Sequence, residues 1–282
     1  MNPLGVHALV WTGGWSEPER RHAIDATRAA GYDIIEIPLL DPGSVDGART
    51  RPLLEAAGLR ATCSLGLTFA TDISSEDAAI VQRGEDLLNG ALDCARELRA
   101  TYLGGVLYSA LAKYPAPASA AGRSNSAAVL KRLARRAAGD GITLGLEVVN
   151  RYETNLLNTA AQALDFVREI DEPNIGVHLD TYHMNIEEDD MSEPVRLCGE
   201  RLVYAHVGES HRGYLGSGSV DFASFFKGLA EIGYGGTITF ESFSSAVVSP
   251  TLSNALGVWR NLWSDGTDLA TRARAFVEAH LR

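Results

Sequence analysis

Residues 143–180 read TLGLEVVNRYETNLLNTAAQALDFVREIDEPNIGVHLD. An apolar run, TLGLEVV (143–149), breaks into the polar NRYETN. A helical segment, NTAAQALDFVREI, follows behind an expected cap at Asn158, and a second apolar run, NIGVHLD (174–180), ends on Asp180. Both runs are nearly continuous in apolar or small residues, the signature of parallel strands covered on both faces. The stretch is therefore one strand–helix–strand unit, with Glu147 and Asp180 at the C-terminal ends of its strands.

The same alternation extends in both directions. Further strands are expected at LGVHALVW (4–11), DIIEIPL (33–39), LRATCSLGL (59–67), TYLGGVLY (101–108), LVYAHVGE (202–209) and TITFES (237–242). Helical segments separate them. SEPERRHAIDATRAAG carries Ser16 as N-cap, Glu19 at the capping-box position and Gly31 as its stop. SEDAAIVQRGEDLLNGALDCARELRA is the longest, with Leu87, Leu88, Ala91, Leu92 and Ala95 on one stripe. DFASFFKGLAEIGYGG runs from an Asp221 cap to Gly233, and PAPASAAG (115–122) reads as a loop.

Eight strands alternating with helices mean a doubly wound sheet or a closed barrel. No GxGxxG follows the first strand, which removes the usual dinucleotide reading. The count of eight selects the α/β class and a single (β/α)8 TIM barrel, for which about 250 residues is usual. One catalytic domain is expected over 1–282, with helices beyond the eighth strand (249–264 and 267–281) supplying an extra C-terminal helix.

His206 and Glu241 end the seventh and eighth strands as Glu147 and Asp180 end the fifth and sixth. A barrel interior tolerates little unpaired charge, so each carboxylate must face something positive. A rim arginine or lysine would do for any one of them. Three carboxylates and an imidazole at successive strand ends instead describe a mononuclear site for a hard divalent ion such as Mn2+, Mg2+ or Co2+. Glu153, His183 and Arg212 stand just beyond those strand ends, on the expected rim of an active site. His178, two residues before Asp180, faces the same way one layer deeper and needs only a core hydrogen bond. Trp15 walls a substrate pocket or caps the barrel, and Gly66 admits a ligand to the backbone or relieves crowding. The glycine-rich GYLGSGS (213–219) cradles a phosphate or belongs to the substrate rim.

The formal net charge of -11 opposes a nucleic-acid partner, which needs a basic face. Cys63, Cys94 and Cys198 have no CxxC spacing and read as reduced, mostly buried thiols of a cytoplasmic protein. No apolar run approaches a membrane span, and the start MNPLGVHALVW looks like a first strand, not a leader, so no membrane attachment is expected.

GLEVVNRYETNLLNT, NIGVHLDTYHMNIEE, HVGESHRGYLGSG and FESF resemble the D-tagatose 3-epimerase family, which includes the D-allulose (D-psicose) 3-epimerases, among the xylose isomerase-like barrels. The resemblance covers essentially the whole chain. It implies a metal-dependent isomerase that interconverts free ketoses at C3, for example D-fructose with D-allulose, D-tagatose with D-sorbose or ribulose with xylulose, by deprotonation and reprotonation through a cis-enediolate. It implies Glu147, Asp180, His206 and Glu241 as ligands of one divalent ion per subunit, with Glu147 and Glu241 also the acid–base pair. It places Glu153, His183 and Arg212 around the substrate's C1–C3 oxygens, and it implies a homodimer or homotetramer. The sequence departs from the family at HALVW, where other members often carry more aromatic residues, and at YLG after Arg212. An aldose–ketose isomerase on the same barrel is the main alternative. A metal-dependent phosphodiesterase is opposed by the acidic charge, and a non-catalytic sugar-binding barrel has little use for two opposed glutamates.

Overall fold

The apolar runs become β1 (Leu4–His7), β2 (Ile34–Pro38), β3 (Arg60–Leu67), β4 (Tyr102–Ala110), β5 (Thr143–Val148), β6 (Ile175–Asp180), β7 (Leu202–Val207) and β8 (Ile238–Phe240). In the computed structural model, which describes residues 2–282, these strands pair in parallel and in sequence order, and β1 closes on β8. This is the (β/α)8 barrel the alternation predicts. The helices are α1 (Glu17–Ala29), α2 (Gly47–Ala57), α3 (Ala78–Glu97), α4 (Ala120–Gly139), α5 (Ala160–Ile170), α6 (Thr181–Glu187), α7 (Glu193–Cys198), α8 (Phe222–Glu231), α9 (Pro250–Ala255) and α10 (Gly266–His280).

Local chemistry sets the boundaries. Ser16 and Glu19 form the predicted capping box of α1, and Gly31 follows the helix in the left-handed conformation at φ +81°. Asp221 caps α8 through the Ser224 amide. Three expectations shift. The first strand stops at His7, because the His7 ring accepts the Leu9 amide and starts a 3-10 turn over Ala8–Val10. The cap of α5 is Thr159, since the Asn158 carboxamide is committed to the carbonyls of Val149 and Thr154. Ser119 starts α4 at Ala120, inside the stretch read as a loop.

Beyond β8, α10 packs Leu269, Ala273 and Val277 into the core, and the Tyr32 hydroxyl donates to Ala270 O. It serves as the barrel's eighth helix, so the addition is α9, shorter than expected because the chain leaves the helix at Leu256 and turns at Gly257 with φ +66°. The three cysteines are buried and free.

The barrel interior below the mouth is filled by aromatic rings. Tyr102 and Tyr204 stack at 4.0 Å between centroids, and the Tyr102 hydroxyl meets His178 Nδ1 at 3.0 Å. Gly145 makes room for them: a Cβ there would lie 2.1 Å from the Tyr102 oxygen. His178 thus has the core role expected of it. This packed floor leaves the site at the C-terminal mouth. Among the described residues, no helix is long and apolar enough to cross a membrane.

Candidate active site

Strand alternation carries Glu147, Asp180, His206 and Glu241 onto the inner face of the mouth. One ligand atom from each lies within 4.8 Å of the others. Their exposures are 8%, 0%, 1% and 6%, so water does little to separate their charges. Burial, reinforced by the Glu241 and Asp180 charges, pushes the Glu147 carboxyl up to about 7. Asp180 is raised for the same first reason, burial. Glu241 is buried too, but the facing His206 and Arg212 outweigh that and hold it below the ordinary carboxylate range.

Arg212 is the rim cation that the simpler reading of the carboxylates calls for. Its Nη1 donates to Glu241 Oε2 at 2.5 Å and to Asp180 Oδ2 at 3.3 Å. The guanidinium lies 3.8 Å from the centre of the Tyr182 ring. Its backbone sits at φ +61°, uncommon for a residue with a side chain, and Ser242 Oγ pins that turn by donating to Arg212 O.

One guanidinium against three carboxylates leaves two negative charges, the complement of a divalent cation. The imidazole agrees. His206 Nδ1 is buried without a hydrogen-bond partner and lies 3.6 Å from both Glu147 Oε1 and Glu241 Oε1. Burial opposes a charge on this ring, yet Glu36, Glu241 and Glu147 raise His206 well above its ordinary value. A divalent ion among the same carboxylates would take the place of the Nδ1 proton and make that nitrogen a ligand position, and the donor set fits a hard divalent ion.

His183 lies in the first turn of α6, which follows Asp180, and its ring orientation is fixed by Asn150. The Asn150 backbone N–H and carboxamide lie 3.1 and 2.8 Å from His183 Nδ1, which therefore accepts. The ring proton is left on Nε2, which faces Arg212, Asp180 and Glu147 at 3.5, 3.7 and 3.9 Å. Burial, helped by the Arg212 charge, keeps His183 well below its ordinary value, so it is a neutral donor. The same carboxamide donates to Glu153 Oε1 at 2.9 Å. Glu153, His183 and Arg212 are thus brought together beside the four strand-end residues.

The cavity over this cluster is also lined by Gly66, His7, Ser64, Phe243 and a run of aliphatic side chains. Trp15 is not among the lining residues. It immediately precedes the Ser16 cap of α1 and packs partly buried against the core, and the aromatic wall comes from Phe243 after β8 instead.

Two ionisable residues in the centre are additional to the prediction. Glu36 on β2 is fully buried and accepts from His206 Nε2 at 2.9 Å and from the Tyr204 hydroxyl at 2.8 Å. Burial opposes its ionisation, yet the His206 charge and hydrogen bond hold it far below the ordinary range. His7 Nε2 lies 3.3 Å from Ser64 Oγ and 3.7 Å from Glu36 Oε1. The one signal for both was a titratable residue inside an otherwise apolar run.

The glycine-rich loop meets an anion of the protein itself. Its Gly216 N–H donates to the buried Glu209 carboxylate at 2.9 Å, and the flanking Ser210 and Val220 amides donate to the same carboxylate at 2.8 and 3.3 Å. Those donors are spent on a side chain of the protein itself.

Residues 24–268 match the family described as xylose isomerase-like TIM barrel. A protein of Arthrobacter globiformis named a ketose 3-epimerase is 55% identical over 278 residues, covering 99% of this chain and 96% of its own. An L-ribulose 3-epimerase of Methylomonas sp. (strain DH-1) is 56% identical over 274 residues, covering 97% and 96%. The crystal structure of a Methylomonas sp. D-allulose 3-epimerase in complex with D-allulose superposes with a TM-score of 0.98 at 55% identity, covering 99% of this chain and 97% of that one.

Proposed function

The chain belongs to the xylose isomerase-like TIM barrel family and, within it, to the ketose 3-epimerases, and on that premise we propose how this site works. The substrate is a free ketose, D-fructose with D-allulose or a ribulose–xylulose pair. The reaction inverts C3 by removing its proton on one face and returning a proton on the other. Glu147 and Glu241 are the acid–base pair, and one observation carries the assignment. Each has a carboxylate oxygen 3.6 Å from the same imidazole nitrogen, and their pKa values are pushed in opposite directions. Divergent pKa values in neighbouring carboxylates are how one site holds a proton donor and a proton acceptor together.

Glu147, Asp180, His206 and Glu241 would hold one divalent ion per subunit (Mn2+, Mg2+ or Co2+), which when bound supplies Lewis-acid polarisation of the C2 carbonyl, worth several kcal/mol. The remaining work falls to the chain. His183 offers its Nε2–H and Arg212 its guanidinium to the negative charge that grows on O2 as the C3 proton leaves. A neutral imidazole suits this task, since it donates without competing as an acid. Glu153, steadied by Asn150, accepts from the hydroxyl at the C1 end and fixes which carbon lies between the two glutamates. Assembly as a homodimer or homotetramer belongs to the same proposal, supported by the exposure of Trp259 at 76%, and is read by light scattering.

The test is NMR of D-fructose in D2O with metal-loaded and metal-stripped protein. Metal-dependent D-allulose carrying deuterium at C3 is expected. An aldose labelled at C2 would move the activity to aldose–ketose isomerisation. Absence of exchange with D-fructose, D-tagatose and ribulose would overturn the substrate class.

A further inference from the structure

A carboxylate in the middle of a buried strand is expensive unless something compels it. Glu36 lies between Ile35 and Ile37 on β2 at 0% exposure, outside the four-residue cluster. One of its oxygens, Oε2, receives both the His206 Nε2–H at 2.9 Å and the Tyr204 hydroxyl proton at 2.8 Å. Tyr204 is itself held, because with its proton on Glu36 its oxygen accepts from Thr62 Oγ1 at 2.8 Å and Thr239 Oγ1 at 2.6 Å. The His178 ring packs edge-on against His206 at 4.2 Å between centroids and blocks lateral swing of the imidazole. The nitrogen on the far side of the ring, Nδ1, is the buried atom without a partner that points among the carboxylates.

We propose that Glu36 is a positioning residue: by accepting the Nε2–H of His206 it fixes the ring's proton there and presents Nδ1 as a lone pair to the metal position. The inference rests on the metal reading of the four strand-end residues. Its physical content is a tautomer. Without an acceptor at Glu36 the ring proton can sit on Nδ1, where it points into the cation position and removes one of four donors. A metal-bound histidine ordinarily hands its other N–H to such an acceptor, and loss of that acceptor typically lowers metal affinity about 10–100-fold. The network from Thr62 and Thr239 through Tyr204 holds the acceptor in place.

The experiment measures Mn2+ binding by calorimetry for the full-length wild type, Glu36→Gln and Glu36→Leu, with melting curves in the absence of metal as a control for folding. The second readout is the 15N spectrum of the histidines in the Mg2+-loaded wild type, which needs no variant. The expected result is a proton on His206 Nε2, with Mn2+ affinity reduced about 10–100-fold in Glu36→Leu. Glu36→Gln, whose carboxamide oxygen can still accept, is reduced less. If Glu36→Leu does not fold, Glu36→Gln and the wild-type spectrum decide. Variants that bind Mn2+ within twofold of wild type, or a proton found on Nδ1, overturn the proposal. Wild-type protein that binds no Mn2+ overturns the metal reading and this inference with it, an outcome distinct from the other two.

Discussion

Replacing Glu147 or Glu241 by glutamine separates proton transfer from everything else the two residues do. The carboxamide keeps the shape and one oxygen donor, but it can neither take nor give the C3 proton. Positioned acid–base catalysis contributes about 10²–10⁴-fold, so each variant should lose that much turnover, equivalent to about 2.7–5.4 kcal/mol of barrier. Each variant also removes one of the three carboxylate charges from the cluster, so Mn2+ must be raised until occupancy matches wild type, checked by metal analysis. The decisive assay is deuterium incorporation at C3 in D2O, started separately from each epimer. The remaining glutamate can still remove the proton from the epimer that faces it and return deuterium on the same side. Glu147→Gln should therefore exchange one epimer without inverting it, and Glu241→Gln the other. Metal-loaded variants that retain turnover within tenfold of wild type, or that exchange the same epimer, would refute the two-glutamate arrangement.

Metal affinity should depend on pH, because Glu147 is pushed up to about 7 in the metal-free cluster and binding needs it ionised. Burial opposes a charge on His206, but Glu36 and Glu241 raise it well above its ordinary value, so it must lose its proton as well and affinity should climb with pH through 7 and beyond; calorimetric titrations flat from pH 5.5 to 8 would contradict this. Arg212→Lys keeps the charge but loses the guanidinium's stack on Tyr182 and the second nitrogen, Nη2, that faces His183, so kcat/KM should fall about 10²-fold. Steady-state kinetics within threefold of wild type would show that charge alone suffices. Gly105→Ala forces a side chain onto a backbone at φ +103° and places a Cβ 2.3 Å from Leu65 O, so the melting temperature should drop by several degrees, from a backbone cost of about 1–3 kcal/mol. An unchanged calorimetric transition would falsify that assignment.

What the sequence disclosed, and what it withheld, follows from how locally each feature is determined. Glu147, Asp180, His206 and Glu241 were legible because each sits where an apolar strand breaks into polar residues, and strand ends in a closed barrel converge by construction. Glu36 and His7 lie within their runs instead, where a single polar residue reads as an interruption. Only the closure of β1 and β2 onto the far strands shows that they face the same mouth. Asn150 was passed over as loop because its importance lies in a hydrogen bond to a residue 33 positions away. Trp15 was over-read: position after a strand does not say which way a turn sends the chain, and here a 3-10 turn sends it toward the core. The fate of GYLGSGS depended on whether an anion from outside or Glu209 would meet its amides, which spacing alone cannot decide.

The walls of the mouth also bear on what the enzyme distinguishes. The polar lining of the cavity includes Glu147, Glu153, His183, Arg212 and Glu241. The same cavity is also lined by Leu9, Pro38, Leu40, Leu111, Leu252 and Leu256. A site that hydrogen-bonds a hydroxyl rejects a substrate lacking it by about 10⁴–10⁵, whereas an apolar wall discriminates a small change by only about 10–200-fold. On the proposed roles of these residues, the first three carbons would be read strictly and the remainder of the chain by fit. Strict reading is placed where the chemistry needs it, since C3 must lie between two glutamates. Loose reading is placed where chain length and the distal hydroxyls differ between ketoses. His7 and Ser64, 3.3 Å apart, add a polar pair to the lining, with His7 Nε2 4.0 Å from Glu241 Oε1, so they are a place where a preference among ketoses has a physical foothold.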